Sequence, residues 1–394
     1  MIIGERSAPF DHQRGREAAR SSSRSGRATA EIVFLVNGES DGAAAERARQ
    51  FAARLDPPYS GPVLYRGRRK IRAALRFLLA LFRWRPRLVY VMDMAVSGVV
   101  AAIAYKAATR ARVIIDTGDV ISALARALGR GWVGQRLTEL LERLSLRAAD
   151  LLVVRGHGHQ AWLARCGFTR VEVIPDGVDT RVFRPLPVEA LRRCLNLEGK
   201  LVVGVVGSLH WSPQVGFCYG WELIEALALA KDVPLVGVIV GDGSGLPRLQ
   251  ERARAAGIAD RVHFVGRVPL EQLPTYINLM DVCLSTQTND LVGQVRTTGK
   301  LPLYLACGRF VLASRVGEAA RLLPEEMLIP YEGRDRYAKA LAERLRWLAR
   351  HPQVLNLGHA NIALARQHFE YEVLASRLRS ILDRLLGEGG CASS

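Results

Sequence analysis

The residues best suited to chemistry in this 394-residue chain gather around a stretch reading RTTGKLPLYLACGR, from Arg296 to Arg309. Thr297, Thr298 and Gly299 lead into a helix, and the first N–H groups of a helix lack partners within it, so this end could face an anion. Lys300 adds a full positive charge in the first turn, where the helix dipole disfavours a cation unless an anion lies close by. A phosphate group would answer that arrangement. The pattern is not a Walker loop, because GxxxxGK[ST] is absent. A second glycine-rich element, VGVIVGDGSGLP from Val236 to Pro247, runs from a buried strand through Gly241, Asp242 and Gly243 into a helix. Such turns leave backbone N–H groups free and let a ligand approach the chain closely.

Other segments carry weaker signals. Arg261–Pro269, RVHFVGRVP, is a further strand ending in glycine, and His210 beside Trp211 follows a glycine turn and could reach a cleft. Val173–Pro185, VIPDGVDTRVFRP, reads as a strand, an Asp176–Gly177 turn and a helical turn capped by Asp179, or equally as an ordinary loop between domains. His157 and His159 in RGHGHQ lack nearby ligands at helical spacing, so no metal site is expected. Trp132, Trp162 and Trp211 read as core or cleft-wall residues.

These segments need a scaffold. Short apolar runs at 31–36, 62–65, 88–92, 113–116, 151–154 and 171–174 alternate with helical stretches at 43–55, 70–84, 96–108 and 134–149. The second half repeats the plan with runs at 201–206, 235–240, 262–265, 282–285, 310–313 and 327–330. Strands separated by helices of this length imply βαβ units and parallel sheets, and the Val-rich runs suit strands covered on both faces. The chain is long enough for two domains. The expected fold is α/β: two doubly wound, Rossmann-like domains facing a cleft, with ligands beyond the carboxyl ends of the strands. Their bounds are 31–185 and 186–360, with Pro185 and Pro187 in the linker. Residues 1–30, rich in Arg, Ser and Gly and without an apolar core, read as a disordered basic tail and not a signal peptide. Residues 361–394 read as a helical stretch, about 361–386, that crosses back over the first domain, then a short tail.

Charge is unevenly placed. The formal net charge is +17 with a pI near 10.2. Residues 1–186 carry 31 Lys and Arg against 17 Asp and Glu, while the remaining 208 carry 24 against 21. The basic field of the first half therefore points to an acidic partner there. The helix within Arg66–Arg87 places Arg69, Arg72, Arg76 and Arg83 on one side, with Ile71, Leu75, Leu78 and Phe82 opposite. It reads as a helix packed on its sheet, whose arginines could also dock on anionic lipid. No nucleic-acid recognition motif accompanies the charge, so no nucleic-acid partner is expected. Leu88–Tyr105, interrupted by Asp93 and Gly98, reads as a strand and packed helix and not as a membrane span. The cysteines, Cys166, Cys194, Cys218, Cys283, Cys307 and Cys391, form no CxxC pair, which suits a reducing cytoplasm.

In order and spacing, VIPDGVD (173–179), GSL (207–209), VGDGSG (240–245), RVHFVGRVPLEQLPTYI (261–277), DVCLSTQT (281–288) and KLPLYLACGRFVLAS (300–314) resemble the family 4 retaining glycosyltransferases of the GT-B fold. The resemblance covers about 31–386. It implies a metal-independent enzyme with no cofactor, whose second domain grips a nucleotide diphosphate sugar. By similarity Gly266, Arg267 and Val268 would lie along the nucleobase, Gly207 and Ser208 near the phosphates, and Thr298, Gly299 and Lys300 against the donor. Gly42 takes the place of the family's glycine loop in the first domain. Asp119 falls near an acceptor-side histidine of many relatives and is expected to position the acceptor first and act as a base second.

Three departures stand out. Ser208 replaces an arginine, Val215 or a neighbour replaces a lysine, and Val295 and Leu303 occupy the usual carboxylate pair. Arg296 and Lys300 are the candidates to supply the missing cations. The expected activity is retaining transfer of a hexose-type sugar to a glycan or lipid-linked acceptor in envelope polysaccharide or glycolipid synthesis. It would take place in the cytoplasm, peripherally on the membrane. The alternatives are a catalytically degenerate relative serving as a binding or scaffold subunit, and a nucleotide-sugar epimerase.

Overall fold

A computed structural model describes residues 30–67, 70–94, 96–212 and 218–387, with the side chains of residues 70 and 71 left aside. The basic tail at 1–29, Arg69, Val215 and Cys391 lie outside these residues, as does the side chain of Ile71. Among the described residues, twelve strands form two six-stranded sheets in which every pairing is parallel. The first contains β1 (Ile32–Val36), β2 (Val63–Tyr65), β3 (Leu88–Met92), β4 (Arg112–Thr117), β5 (Leu151–Val154) and β6 (Val171–Val173), in the order β2-β1-β3-β4-β5-β6. The second contains β7 (Leu201–Val206), β8 (Leu235–Val240), β9 (Val262–Gly266), β10 (Val282–Ser285), β11 (Phe310–Ser314) and β12 (Leu328–Ile329), in the order β12-β11-β10-β7-β8-β9. Strand order reverses at β1/β3 and at β7/β10. These reversals open crevices at the carboxyl ends of the strands, where ligands of such sheets bind.

The first domain's helices are α1 (Ala43–Arg54), α2 (Lys70–Trp84), α3 (Val96–Thr109), α4 (Ile121–Ala127), α5 (Trp132–Ala148) and α6 (His157–Arg165). The second carries α7 (Glu189–Cys194), α8 (Trp221–Leu229), α9 (Leu246–Ala255), α10 (Leu273–Leu279), α11 (Leu291–Val295), α12 (Lys300–Ala306), α13 (Gly317–Leu322) and α14 (Arg334–Arg350), followed by α15 (Asn361–His368) and α16 (Tyr371–Gly387). Successive residues of a strand face opposite sides. Ile32, Phe34 and Val36 of β1 therefore join Phe51 and Leu378, from α1 and α16, on one face. Val33 and Leu35 join Phe77 and Tyr105, from α2 and α3, on the other.

Two helices depart from the sequence reading. The buried stripe of α2 is Ala73, Phe77 and Leu81, while Leu75 and Phe82 are exposed. A stripe at i, i+4 and i+8 that begins with a small residue lets the helix lie close against Val33 and Leu35. Helix α5 begins at Trp132, and that side chain is 76% exposed and not part of a core.

The carboxyl-terminal stretch is two helices. The break falls at Phe369–Tyr371, where the Val178 N–H donates to the Phe369 carbonyl (2.8 Å) and the Tyr371 N–H donates to the Val178 carbonyl (3.2 Å). The two chain crossings between domains thus run side by side. Helix α16 then buries Tyr371, Leu374, Leu378, Leu382 and Leu385 on the first domain. Gly177 permits this crossing, because a Cβ there would sit 2.5 Å from the Tyr371 ring. Gly177→Ala should lower stability in urea unfolding by about 1–3 kcal/mol, the usual cost of overpacking. An unchanged unfolding midpoint would show that Tyr371 does not constrain the crossing.

Candidate functional site

Strand β7 ends at Val206, whose N–H donates to Tyr304 Oη at 2.8 Å and pins α12 beside the β7/β10 crevice. Lys300 lies one turn before Tyr304, on the same face of that helix. Its Nζ stands 3.3 Å from the centroid of the Tyr219 ring and would be 3.5 Å from a Cβ on Gly207. It is buried and makes no hydrogen bond among the described residues. Burial pushes its pKa down to about 7, with Glu222 pulling it up and Arg296 pushing it further down. Glu222, on α8, is also buried with an unpartnered carboxylate oxygen, and burial pushes its pKa up to about 7. Helix α12 has only seven residues, so Lys300 and not the helix end supplies most of the positive field.

The glycine-rich turn plays a different part from the one its sequence implies. The N–H groups of its glycines are occupied: Gly241 donates to the Gly266 carbonyl (2.9 Å), Gly243 to Asp242 Oδ1 (2.7 Å) and Gly245 to the Leu209 carbonyl (2.8 Å). The Leu209 N–H donates in turn to the Asp242 carbonyl at 2.9 Å. Gly241 has φ 146°, and a Cβ there would run into the Gly207 carbonyl oxygen. Gly241, Asp242 and Gly243 therefore brace the Gly207 turn. Ser208 and His210 are exposed beside that turn. Trp211 donates its N–H to Ser244 Oγ and lies 4.6 Å under the Arg248 guanidinium.

Among the described residues two arginine–carboxylate ion pairs span the gap between the domains, each with the carboxylate from the first domain. Asp119 accepts from both Arg296 Nε (2.7 Å) and Nη2 (3.0 Å), and Asp41 accepts from Arg267 at 2.9 Å. Burial opposes the charge on Arg296, but the Asp119 bond outweighs it and raises the pKa. Arg296 and Asp119 are thus paired with each other in this arrangement. Val295 packs against Val120 and Ala123 of the first domain, with Trp162 beside them. Thr297 Oγ1 donates to the Arg155 carbonyl (3.0 Å), and Glu318 accepts from the His157 N–H (2.6 Å) at the start of α6. His159 is buried against Trp162, and burial pushes its pKa down to about 4.

The structure thus gathers Gly207, Thr298, Gly299 and Lys300 at the β7/β10 crevice, with Thr298 Oγ1 3.0 Å from Ser285 Oγ. Asp119 and Arg296 border the same gap. Gly42, Gly266, Arg267 and Val268 lie elsewhere along it: Gly42 caps α1 beside Asp41, Gly266 ends β9, and Val268 is half-buried. Sequence reasoning missed a buried network at the carboxyl edge of the first sheet. There Arg47 donates to Asp116 (3.0 Å) and to the Ile174 carbonyl (2.8 Å), Tyr90 donates to Asp116 (3.0 Å), and Arg155 approaches Asp176 at 3.4 Å. An aspartate closing an apolar strand, VIID, was the available signal; an arginine inside an ordinary amphipathic helix gave none.

Two parallel-sheet domains facing each other across such a gap define the GT-B architecture. HepE of Anabaena, solved with UDP and glucose, superposes with a TM-score of 0.71 at 17% identity, covering 90% of this chain and 100% of that one. Sucrose-phosphate synthase from Thermosynechococcus elongatus superposes with a TM-score of 0.73 at 18% identity, covering 91% and 100%. The family described as "Glycosyltransferase Family 4" matches residues 26–182, and that described as "Glycosyl transferases group 1" matches residues 200–351. The chain belongs to the group 1, family 4 glycosyltransferases. Among curated relatives, the 2-deoxystreptamine N-acetyl-D-glucosaminyltransferase of Streptomyces fradiae is 32% identical over 192 residues, 46% of this chain and 43% of the relative. The D-inositol 3-phosphate glycosyltransferase of Kribbella flavida is 27% identical over 275 residues, 67% and 59% respectively. The chain spans about half the length of these curated relatives.

The geometry yields a stability prediction. A lysine with its folded pKa lowered from 10.5 to about 7 destabilises the fold fully below pH 7 and progressively less up to 10.5. Lys300→Met should therefore raise the melting temperature of the ligand-free protein at pH 6 by at least about 2 °C. A clear fall would mean that Lys300 is a structural cation.

Proposed function

We propose that this chain moves a hexose-type sugar from a nucleoside diphosphate donor to a glycan or lipid-linked acceptor, with retention and without a metal ion. The observation that carries this reading is the buried Lys300 ammonium beside the Gly207 turn, at the crevice between β7 and β10, with no hydrogen-bond partner among the described residues. A buried cation without a partner is costly, and a diphosphate at that crevice would supply the partner. In transfer, the acceptor oxygen bonds to the anomeric carbon while the bond from that carbon to the diphosphate oxygen breaks. The acceptor proton passes to the departing phosphate, and Lys300 stabilises the charge that develops there. Asp119, held by Arg296, orients the acceptor across the gap.

The names of the relatives, whose acceptors include an aminocyclitol and an inositol phosphate, favour a polyhydroxylated ring at the acceptor end. A place in envelope polysaccharide or glycolipid synthesis, peripherally on the cytoplasmic face of a membrane, suits the basic first domain. Arg72, Arg76 and Arg83 of α2 are exposed and suit anionic headgroups, although Arg76 also donates to the Arg66 carbonyl at 3.0 Å. Among the described residues no helix is long and apolar enough to cross a membrane.

A non-catalytic binding subunit is the second reading, favoured by Val295, which packs between the domains, and by the half-buried Leu303, at the two positions where the family resemblance implies carboxylates. Calorimetric titration with UDP, GDP and ADP, each beside its nucleoside, separates these readings when followed by a nucleotide-sugar turnover assay. One diphosphate should bind, and Lys300→Met should weaken it about tenfold or more while leaving the nucleoside unchanged. Binding without turnover of any sugar donor would select the second reading. Absence of binding at millimolar concentration would overturn the enzymatic reading and select the second, as a subunit without a donor site.

A further inference from the structure

Helix α5 is 17 residues long, yet only Glu142 and Leu146 are buried. Trp132, Val133, Leu137, Leu140 and Leu144 are each more than half exposed. Leaving such side chains in water forgoes a large part of the stabilisation that burial would give. At 100° per residue Val133, Leu137, Leu140 and Leu144 fall within about 60° of one another, so they form one stripe. Arg136, Arg143 and Arg147, all exposed, make a row within about 40° along its edge. Glu139 is the acid beside that row, and it is bonded to Arg143 (3.1 Å) and Arg136 (3.5 Å). Glu142 turns away and accepts the Ile121 (2.6 Å) and Ser122 (3.1 Å) N–H groups at the start of α4.

The stripe does not stand alone. Helices α2, α3 and α5 cover one face of the first sheet, and α3 contacts both of the others. The layer also exposes Leu75, Leu79 and Phe82 of α2 and Val96 and Val100 of α3, among Arg72 and Arg83. At the turn before α5, Leu128 is exposed between Arg126 and Arg130. Apolar side chains thus alternate with arginines across the whole layer. A second copy of the chain would fit it poorly, since pairing like faces sets one arginine row against another. An anionic bilayer fits both features: arginine stems lie along the apolar surface with their heads among the headgroups, and the leucines reach the acyl boundary.

We propose that α5 lies flat in the interface of an anionic membrane, with Val133, Leu137, Leu140 and Leu144 turned toward the acyl chains. Arg136, Arg143 and Arg147 then sit among the headgroups, and Trp132 lies at the same level. This extends the membrane side of the proposed function and is independent of its donor chemistry. The test is flotation of the full chain with phosphatidylcholine vesicles, with and without phosphatidylglycerol. It should float with the anionic vesicles, and Leu137→Ser/Leu140→Ser should weaken that binding about tenfold or more. Arg136→Ser/Arg143→Ser should remove most of the dependence on phosphatidylglycerol. These are exposed positions, and an unchanged melting temperature with unchanged nucleoside diphosphate titration would show that fold and donor site are intact. Brominated lipid should quench wild-type fluorescence more than that of Trp132→Phe, which reads the depth of α5 directly. Equal flotation of wild type and the leucine variant overturns the proposal. So does a dimer in sedimentation that the leucine variant abolishes, with no vesicle binding by either.

Discussion

An ammonium group taken from water and given no hydrogen-bond partner costs a fold several kcal/mol unless something else compensates. Among the described residues Lys300 is in that position, over the face of Tyr219 and beside the Gly207 turn, with Glu222 near enough to pull its pKa up. The surrounding features follow from keeping it there. Tyr304 holds α12 against the end of β7, and the paired glycine turns at Gly207 and Gly241 bring two loops together without side chains between them. The partly compensating Glu222 is itself at the edge of ionisation. A buried cation so arranged lowers the stability of the fold, and an anion bound beside it would restore what is lost.

The two domains meet through a different kind of contact. Their ion pairs, Asp119 with Arg296 and Asp41 with Arg267, are partly or largely exposed, so each contributes modestly and loosens with salt. Firmer junctions come from Val295 packed on Val120 and Ala123, from the Glu318 cap on α6 and from the side-by-side crossings at Val178 and Phe369. A charged side chain at Val295 would lie against apolar neighbours, so the valine suits this junction.

The architecture was legible because the strands of both sheets are short, Val-rich and separated by helices of regular length. Every predicted strand is present, with ends shifted by at most a residue or so. Amphipathicity was a poorer guide. The stripe of α2 was misassigned because its buried face is narrow, and Trp132 was read as interior because the sequence does not reveal that α5 goes largely unpacked. At the site, Lys300 and Thr298 could be found from their place at a helix start. That the N–H groups of Gly241 and Gly243 are bonded was not legible, because free and occupied N–H groups look alike in sequence. Glu222 and the Arg47–Asp116–Arg155 network went unnoticed, since their partners lie on distant elements.

The central claim is that the ammonium of Lys300 is the receptor for a diphosphate, and its titration tests that claim most directly. Nuclear magnetic resonance of selectively labelled lysine side chains, assigned with Lys300→Met, would follow its protonation with and without a saturating nucleoside diphosphate. In the free protein it should titrate near 7, and the bound anion should raise that midpoint by two pH units or more, about a hundredfold in proton affinity. A midpoint unmoved by a diphosphate that is demonstrably bound would contradict the account.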